Sequence, residues 1–155
     1  MAKTNAVRIL EAKGVSFTLH EYQVDEDALD AVNVAHKVGA APETVFKTLV
    51  ACGDKTGCTV FVVPGNVELN LKKAAAASGN KSIEMLKVKE LQHVTGYIRG
   101  GCSPVGMKKD FPSYFDETAQ LYDYIYVSAG VRGMQMRLAP DDLLHAVHAA
   151  YADLV

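Results

Sequence analysis

Hydrophobic and polar positions switch between helical and strand periods along the chain, and each switch marks an element. Thr4 stands as an N-cap ahead of Ala6, Val7 and Leu10 at helical spacing, and Gly14 stops the run, which predicts a first helix. Val15 to Tyr22 alternates, with Val15, Phe17 and Leu19 on one face and Ser16, Thr18, His20 and Tyr22 on the other, as a strand does. Asp25-Glu26-Asp27 then supplies negative charge at the start of a predicted helix whose Ala28, Val32, Ala35 and Val38 stripe ends at Gly39. After a turn opened by Pro42, the strand holding Val45-Phe46-Lys47-Thr48-Leu49 is predicted to pair with Cys58 to Val63 across the loop from Gly53 to Gly57. Leu71 to Ser78 reads as a helix between Asn70 and Gly79, followed by a brief strand from Ile83 to Leu86 and a helix near Val88 to His93.

The second half repeats this pattern in shorter units. Tyr97-Ile98-Arg99 reads as a strand running into Gly100-Gly101. From Lys108-Lys109-Asp110-Phe111-Pro112 onward the chain is too polar and interrupted for regular structure until Ile125-Tyr126-Val127, a strand ended by Ser128-Ala129-Gly130. Arg132-Gly133 turns into a hairpin strand in which Met134, Met136 and Leu138 alternate with Gln135 and Arg137. Pro140 opens a last helix with Leu143, Val147, Ala150 and Leu154 on its core face. Hairpin-connected strands with irregularly placed helices predict an α+β fold: a curved, mixed and largely antiparallel β-sheet packed with several helices, and not a doubly wound one.

One position breaks the pattern. Lys47 projects among aliphatic neighbours on its strand, where an uncompensated ammonium costs several kcal/mol. It snorkels to water, meets an acceptor, or receives an anionic or carbonyl ligand. The loop Gly100-Gly101-Cys102-Ser103-Pro104-Val105-Gly106 suggests where such a ligand sits, since paired glycines let it approach bare N–H groups and Pro104 stiffens the exit.

Composition changes the picture only at its edges. The 155 residues, 49% hydrophobic and 22% charged, predict one soluble domain over 1–155 without repeats or linkers. Apolar runs such as Val60 to Pro64 fall far short of the ~20 residues that cross a bilayer, and Met1-Ala2-Lys3-Thr4 leads into no signal-peptide core, so a cytoplasmic location without membrane contact is expected. The three cysteines contain no Cys-x-x-Cys pair, and Cys52 and Cys58, flanking a hairpin loop, read as core thiols of a reducing compartment. With a net charge of −2, contact with phosphate must come from local groups such as Lys72, Lys73, Arg99, Lys108, Lys109, Arg132 and Arg137.

Common catalytic motifs are missing: there is no Gly-x-Ser-x-Gly elbow, His-Glu-x-x-His helix, phosphate-binding Gly-x-x-x-x-Gly-Lys-Ser/Thr loop or Gly-x-Gly-x-x-Gly fingerprint. Asp141, His145 and His148 share a helix face by spacing, but a solvated outer face explains them better than a metal, so neither metal nor cofactor is expected. Cys102 follows two glycines, a placement that suits a nucleophile beside an oxyanion hole, yet a small apolar core residue is the commoner role of such a cysteine.

Taken together, Val45-Phe46-Lys47-Thr48-Leu49, the Gly100 to Gly106 loop with Lys108-Lys109, and Ile125-Tyr126-Val127-Ser128-Ala129-Gly130 with Arg132-Gly133 resemble the YbaK/EbsC family in order and spacing, across nearly the whole chain. These are free-standing aminoacyl-tRNA deacylases related to the editing domain of bacterial prolyl-tRNA synthetases. The resemblance implies hydrolysis of cysteine wrongly esterified to proline tRNA, with Lys47 and Gly101 catalytic and Tyr22, Phe46, Thr48, Gly100, Ser128 and Gln135 binding substrate. It implies the aminoacylated 3′ end of tRNA as substrate and prolyl-tRNA synthetase as partner. Gln135 stands where some members carry aspartate, and Cys102 where isoleucine or valine is common, which supports an aliphatic slot. Because an aminoacyl ester is already activated, the substrate's own thiol can attack it, and a missing protein nucleophile becomes expected. Two other readings stay open: a deacylase for alanine or another small amino acid, and a non-catalytic module that binds aminoacyl-tRNA or nucleotides.

Overall fold

Local side-chain chemistry starts most of the helices. In a computed structural model describing residues 3–155, Thr4 caps α1 (Asn5–Ala12) by accepting from the Val7 N–H at 3.2 Å, and Ala6, Val7 and Leu10 are its buried stripe. The reading of Met1 and Ala2 lies outside the described residues. The acidic run does not start α2 (Ala31–Val38): Asp25 folds into a turn on itself, its carboxylate accepting from Asp27 N at 3.0 Å, and the N-cap passes to Asp30. Asn70 caps α3 (Leu71–Ser78), which ends at Gly79 in the left-handed region as the sequence predicts. α4 spans Val88–Thr95 and α5 Pro140–Ala146.

The strands form two sheets where one was expected. β1 (Thr18–Glu21), β6 (Ile125–Ser128) and β7 (Met134–Leu138) make an antiparallel sheet in the order β1-β7-β6. β2 (Phe46–Gly53), β3 (Gly57–Pro64), β4 (Ile83–Met85), β5 (Ser113–Asp116) and β8 (Ala150–Ala152) make a mixed sheet in the order β4-β2-β3-β5-β8. A parallel bridge from Val45 to Tyr126 joins them. The α+β class and the β2-β3 hairpin agree with the sequence reading.

Several expectations are corrected, each by tertiary pairing. The first strand is shorter than Val15 to Tyr22, and Leu19, on the apolar face of the predicted strand, is 41% exposed because β1 is a sheet edge. Tyr97-Ile98-Arg99 is not a strand. The stretch read as irregular holds β5 and a 3-10 turn at Glu117–Leu121; β5 exists because it runs parallel to β3, Phe61 opposite Tyr114. The last helix stops at Ala146, His148 adopts φ 56°, and the chain returns as β8 beside β5. Asp141, His145 and His148 therefore do not share one helix face; Asp141 instead accepts from the Tyr151 hydroxyl at 2.6 Å. Cys52 and Cys58 are a disulfide and not core thiols: the hairpin register places them directly opposite, Cα atoms 3.9 Å apart.

The main core lies between the three-stranded sheet and the face of β2 and β3 carrying Phe46, Val50, Val60 and Val62, with α1 and Leu143 against it. A second cluster under α3 joins Phe61, Val63, Ala74 and Leu154. Asp116, fully buried at the end of β5, is satisfied by the Leu154 N–H at 2.9 Å and by Thr118, and so ties the chain end to the sheet. No described helix is long and apolar enough to cross a membrane.

Candidate active site

Unequal strand lengths open the site. β4 covers the outer edge of β2 only at Ala51–Gly53, with Leu86 N–H reaching Val50 O at 2.9 Å. Before that point the edge at Lys47–Leu49 has no strand partner on this side, and a cavity of about 360 Å³ occupies the gap. α2 closes one side with Asp30, Ala31 and Val34, the glycine loop another with Arg99, Gly100 and Cys102, and β6 and β7 the back with Ser128 and Gln135. Met85, Leu86, Val88 and Leu91 form an apolar wall, with Val88 64% exposed.

Two glycine-bearing loops are locked together behind this cavity. Gly100 adopts φ +85°, and a Cβ on Gly101 would stand 3.1 Å from Arg132 N and 3.2 Å from Val131 C, so the second loop's backbone would have to give by a few tenths of an ångström to admit any larger residue. Arg132 Nε donates to Arg99 O at 2.8 Å across the same contact. Tyr97, which the sequence reading placed in a strand, is the peg: its hydroxyl donates to Val105 O and its ring lies against Gly130. Burial raises the Tyr97 phenol to about 12, so it stays a donor at neutral pH.

The cavity gathers Phe46, Lys47, Thr48, Gly100, Ser128 and Gln135, six of the eight site residues expected from the sequence. It does not gather Tyr22 or Gly101. Tyr22 follows the edge strand, its N–H bound to Gly133 O at 2.9 Å and its ring 6.0 Å from Lys37 Nζ, away from the lining. Gly101 is buried beneath the loop with its N–H given to Ile98 O at 2.9 Å, so the bare amide expected there is not available. The neighbouring Gly100 and Cys102 line the cavity, and their N–H groups have no hydrogen-bond partner among the described residues. Sequence reasoning missed Asp30 and the apolar wall. Val88 and Leu91, the apolar positions of a short amphipathic helix in which Val88 stays exposed while Leu91 packs on the core, were the signal for the wall.

The electrostatics around Lys47 are set by burial. Lys47 is half-buried and makes no ion pair among the described residues. Desolvation lowers its pKa from the usual 10.5, and the more distant carboxylates of Glu68 and Asp30 oppose that shift. Thr48 Oγ1 and Gln135 Oε1 are buried without a hydrogen-bond partner, an uncommon condition that costs about 1–3 kcal/mol each unless a donor arrives. Ser128 pairs with Gln135 across β6 and β7, and its hydroxyl accepts from Gly130 N at 3.1 Å. Burial pushes the Cys102 thiol up to about 12, against a hydrogen bond with Thr95, so the only free cysteine is not a thiolate at neutral pH. The described residues hold no cluster of three or more metal-ligating side chains. Of the basic groups named from the sequence, Arg99 alone shares the cavity with Lys47; Lys73 is paired with Asp153 at 2.9 Å.

Residues 25–146 match the family model of the aminoacyl-tRNA editing domain, a span that includes all the cavity-lining residues. The chain is 53% identical over 152 residues to EbsC of Enterococcus faecalis, covering 98% of this chain and 93% of that protein, which is named as a candidate Cys-tRNA(Pro)/Cys-tRNA(Cys) deacylase. It is 30% identical over 115 residues to a proline–tRNA ligase of Shouchella clausii, covering 74% of this chain but 20% of the ligase. The crystal structure of a candidate trans-editing enzyme for prolyl tRNA synthetase superposes with a TM-score of 0.83 at 29% identity, over 99% of this chain and 98% of that one. The family model spans most of the chain and the EbsC match nearly all of it, and the chain therefore belongs to the aminoacyl-tRNA editing domain family.

Proposed function

We propose that the protein is a trans-acting hydrolase that removes cysteine from mischarged proline tRNA, working in the cytoplasm as one editing domain over its whole length. The observation that carries this reading is a cavity with a desolvated, unpaired cation and two orphaned acceptors but no ionised nucleophile. Such a site binds and stabilises; the attacking group comes with the substrate. The cysteinyl sulfur bonds to its own ester carbonyl carbon, the carbonyl oxygen takes up negative charge, and the bond to the ribose oxygen breaks. The thiol proton leaves with that ribose oxygen, and water opens the resulting strained thiolactone to free cysteine.

Each residue then has a physical task. The Lys47 ammonium and the Gly100 and Cys102 amides meet the negative charge of the terminal nucleotide and of the tetrahedral oxyanion. Gln135 Oε1 and Thr48 Oγ1 accept from the aminoacyl group, Ser128 lies beside Gln135, and Phe46 is an apolar wall. Gly101 acts by letting the two loops touch, and Tyr22 has no contact with the cavity to support a binding role. Few cations surround the site, so little of the tRNA body is gripped. Selection of proline tRNA therefore depends on prolyl-tRNA synthetase as partner, and the isolated protein also clears cysteine from its cognate tRNA. Comparing cysteinyl-, alanyl- and prolyl-tRNA as substrates tests this. Fastest loss of cysteine supports it, whereas fastest loss of alanine gives the small-residue deacylase, and binding without hydrolysis of any of them gives the non-catalytic module.

A further inference from the structure

The sheet face behind the cavity continues beyond it. Side chains two apart on a strand share a face and lie roughly 7 Å from one another. Tyr126 and Arg137, paired across β6 and β7 as Ser128 and Gln135 are, therefore carry that face outward by one such step. There it meets a second, open hollow of about 460 Å³ bordered by Thr44, Tyr122, Asp123, Tyr124, Tyr126 and Arg137. The two spaces are linked through the backbone, since Val45, which lines the first, bridges to Tyr126, which borders the second. The Arg137 guanidinium carbon stands 4.0 Å from the Tyr124 ring centroid, and Tyr124 remains 47% exposed. A guanidinium over a ring that is nearly half exposed leaves aromatic surface open to solvent.

We propose that this hollow is a base-stacking subsite for the unpaired nucleotide next to the esterified adenosine, which in the C-C-A end of tRNA is a cytosine. The inference rests on the deacylase reading of the first cavity. Aromatic and guanidinium planes hold bases of unpaired strands by stacking. Asp123 at the rim supplies an acceptor for the exocyclic amine of cytosine, and Arg137 supplies donors for its carbonyl oxygen O2 and ring nitrogen N3. The carboxylate also disfavours a bare phosphate at this spot, which separates base recognition from backbone contact.

Two measurements test the subsite, with Tyr124→Ala and the ring-preserving Tyr124→Phe as variants. First, binding of the unacylated trinucleotide C-C-A is titrated, which needs no hydrolysis. Tyr124→Ala should weaken it by at least ~5-fold, the smaller end of a lost base–aromatic stack, with Tyr124→Phe close to wild type. Second, KM is compared for cysteinyl-tRNA and for cysteinyl-adenosine, which lacks the cytosine: Tyr124→Ala should raise the first by a similar factor and leave the second unchanged. Wild-type protein that fails to bind the trinucleotide, equal binding by Tyr124→Ala, or equal KM increases for both substrates would overturn the subsite. Trinucleotide binding lost in Tyr124→Ala but without hydrolysis by the wild type would uphold the subsite and refute the deacylase reading instead.

Discussion

Replacing Lys47 by methionine separates binding chemistry from folding more cleanly than any other change. Methionine keeps the unbranched stem that lines the cavity and removes only the ammonium, so packing changes should stay within about 1.5 kcal/mol. In the free protein that ammonium is desolvated, has no ion pair among the described residues, and feels Glu68 and Asp30 only at a distance. Its folded pKa therefore lies below the unfolded value of 10.5, so the unfolded chain binds the proton more tightly and stability rises as pH climbs between the two. Removing the amine at pH 7 should leave the melting temperature equal or higher. Activity should move the opposite way: loss of a preorganised charge facing the reaction costs about 10²-fold or more in kcat/KM. Wild-type activity should fall at alkaline pH below 10.5 as the lysine deprotonates, and the variant should lack that limb. Deacylation of cysteinyl-tRNA across pH, with thermal melts on the same samples, measures all three. Turnover within about 3-fold of wild type in folded Lys47→Met would refute the role of the cation, and a strongly lowered melting temperature would refute the desolvation argument.

Cys102→Val should keep most activity, because a thiol held near 12 contributes no nucleophile and valine fills its slot; trapping of a cysteinyl thioester on Cys102 would show the opposite. Seryl-tRNA, nearly isosteric but with a far weaker nucleophile, should be cleared much more slowly than cysteinyl-tRNA in a matched time course. Gly101→Ala must move Val131 and Arg132 backbone by a few tenths of an ångström, so it should cost about 1–3 kcal/mol in denaturant titration and reduce kcat through the displaced Gly100 and Cys102 amides. Asn80→Ala removes the acceptor of the Lys55 and Thr56 N–H groups, at 2.9 and 3.0 Å, in the loop of the β2-β3 hairpin; stability should fall by about 1–3 kcal/mol with kcat nearly unchanged, since that loop lies at the far end of β2 from Lys47.

What the sequence by itself determined was whatever is encoded over a few neighbouring residues. Thr4 and Asn70 announce their helices because a cap is one side chain and two amides, and the β2-β3 register follows from a short loop between alternating runs. Lys47 stood out for the same reason, as a charge inside an apolar strand. The tertiary structure decided everything that needs a distant partner. β5 and β8 are strands because β3 accepts one parallel neighbour and β5 the next, and no local period in Ser113–Asp116 or Ala150–Ala152 reveals that. The Cys52–Cys58 disulfide, by contrast, follows from that same local hairpin register, which sets the two cysteines directly opposite. The cavity exists because β4 stops short along β2, and its composition depends on which loop side chains turn inward. Hence Gly101 and Tyr22, close in sequence to lining residues or strands, fall outside it. Gln135, one polar residue in an alternating strand, proves to be a buried acceptor without a partner, since only the packing of α2 and the glycine loop over that face removes it from water.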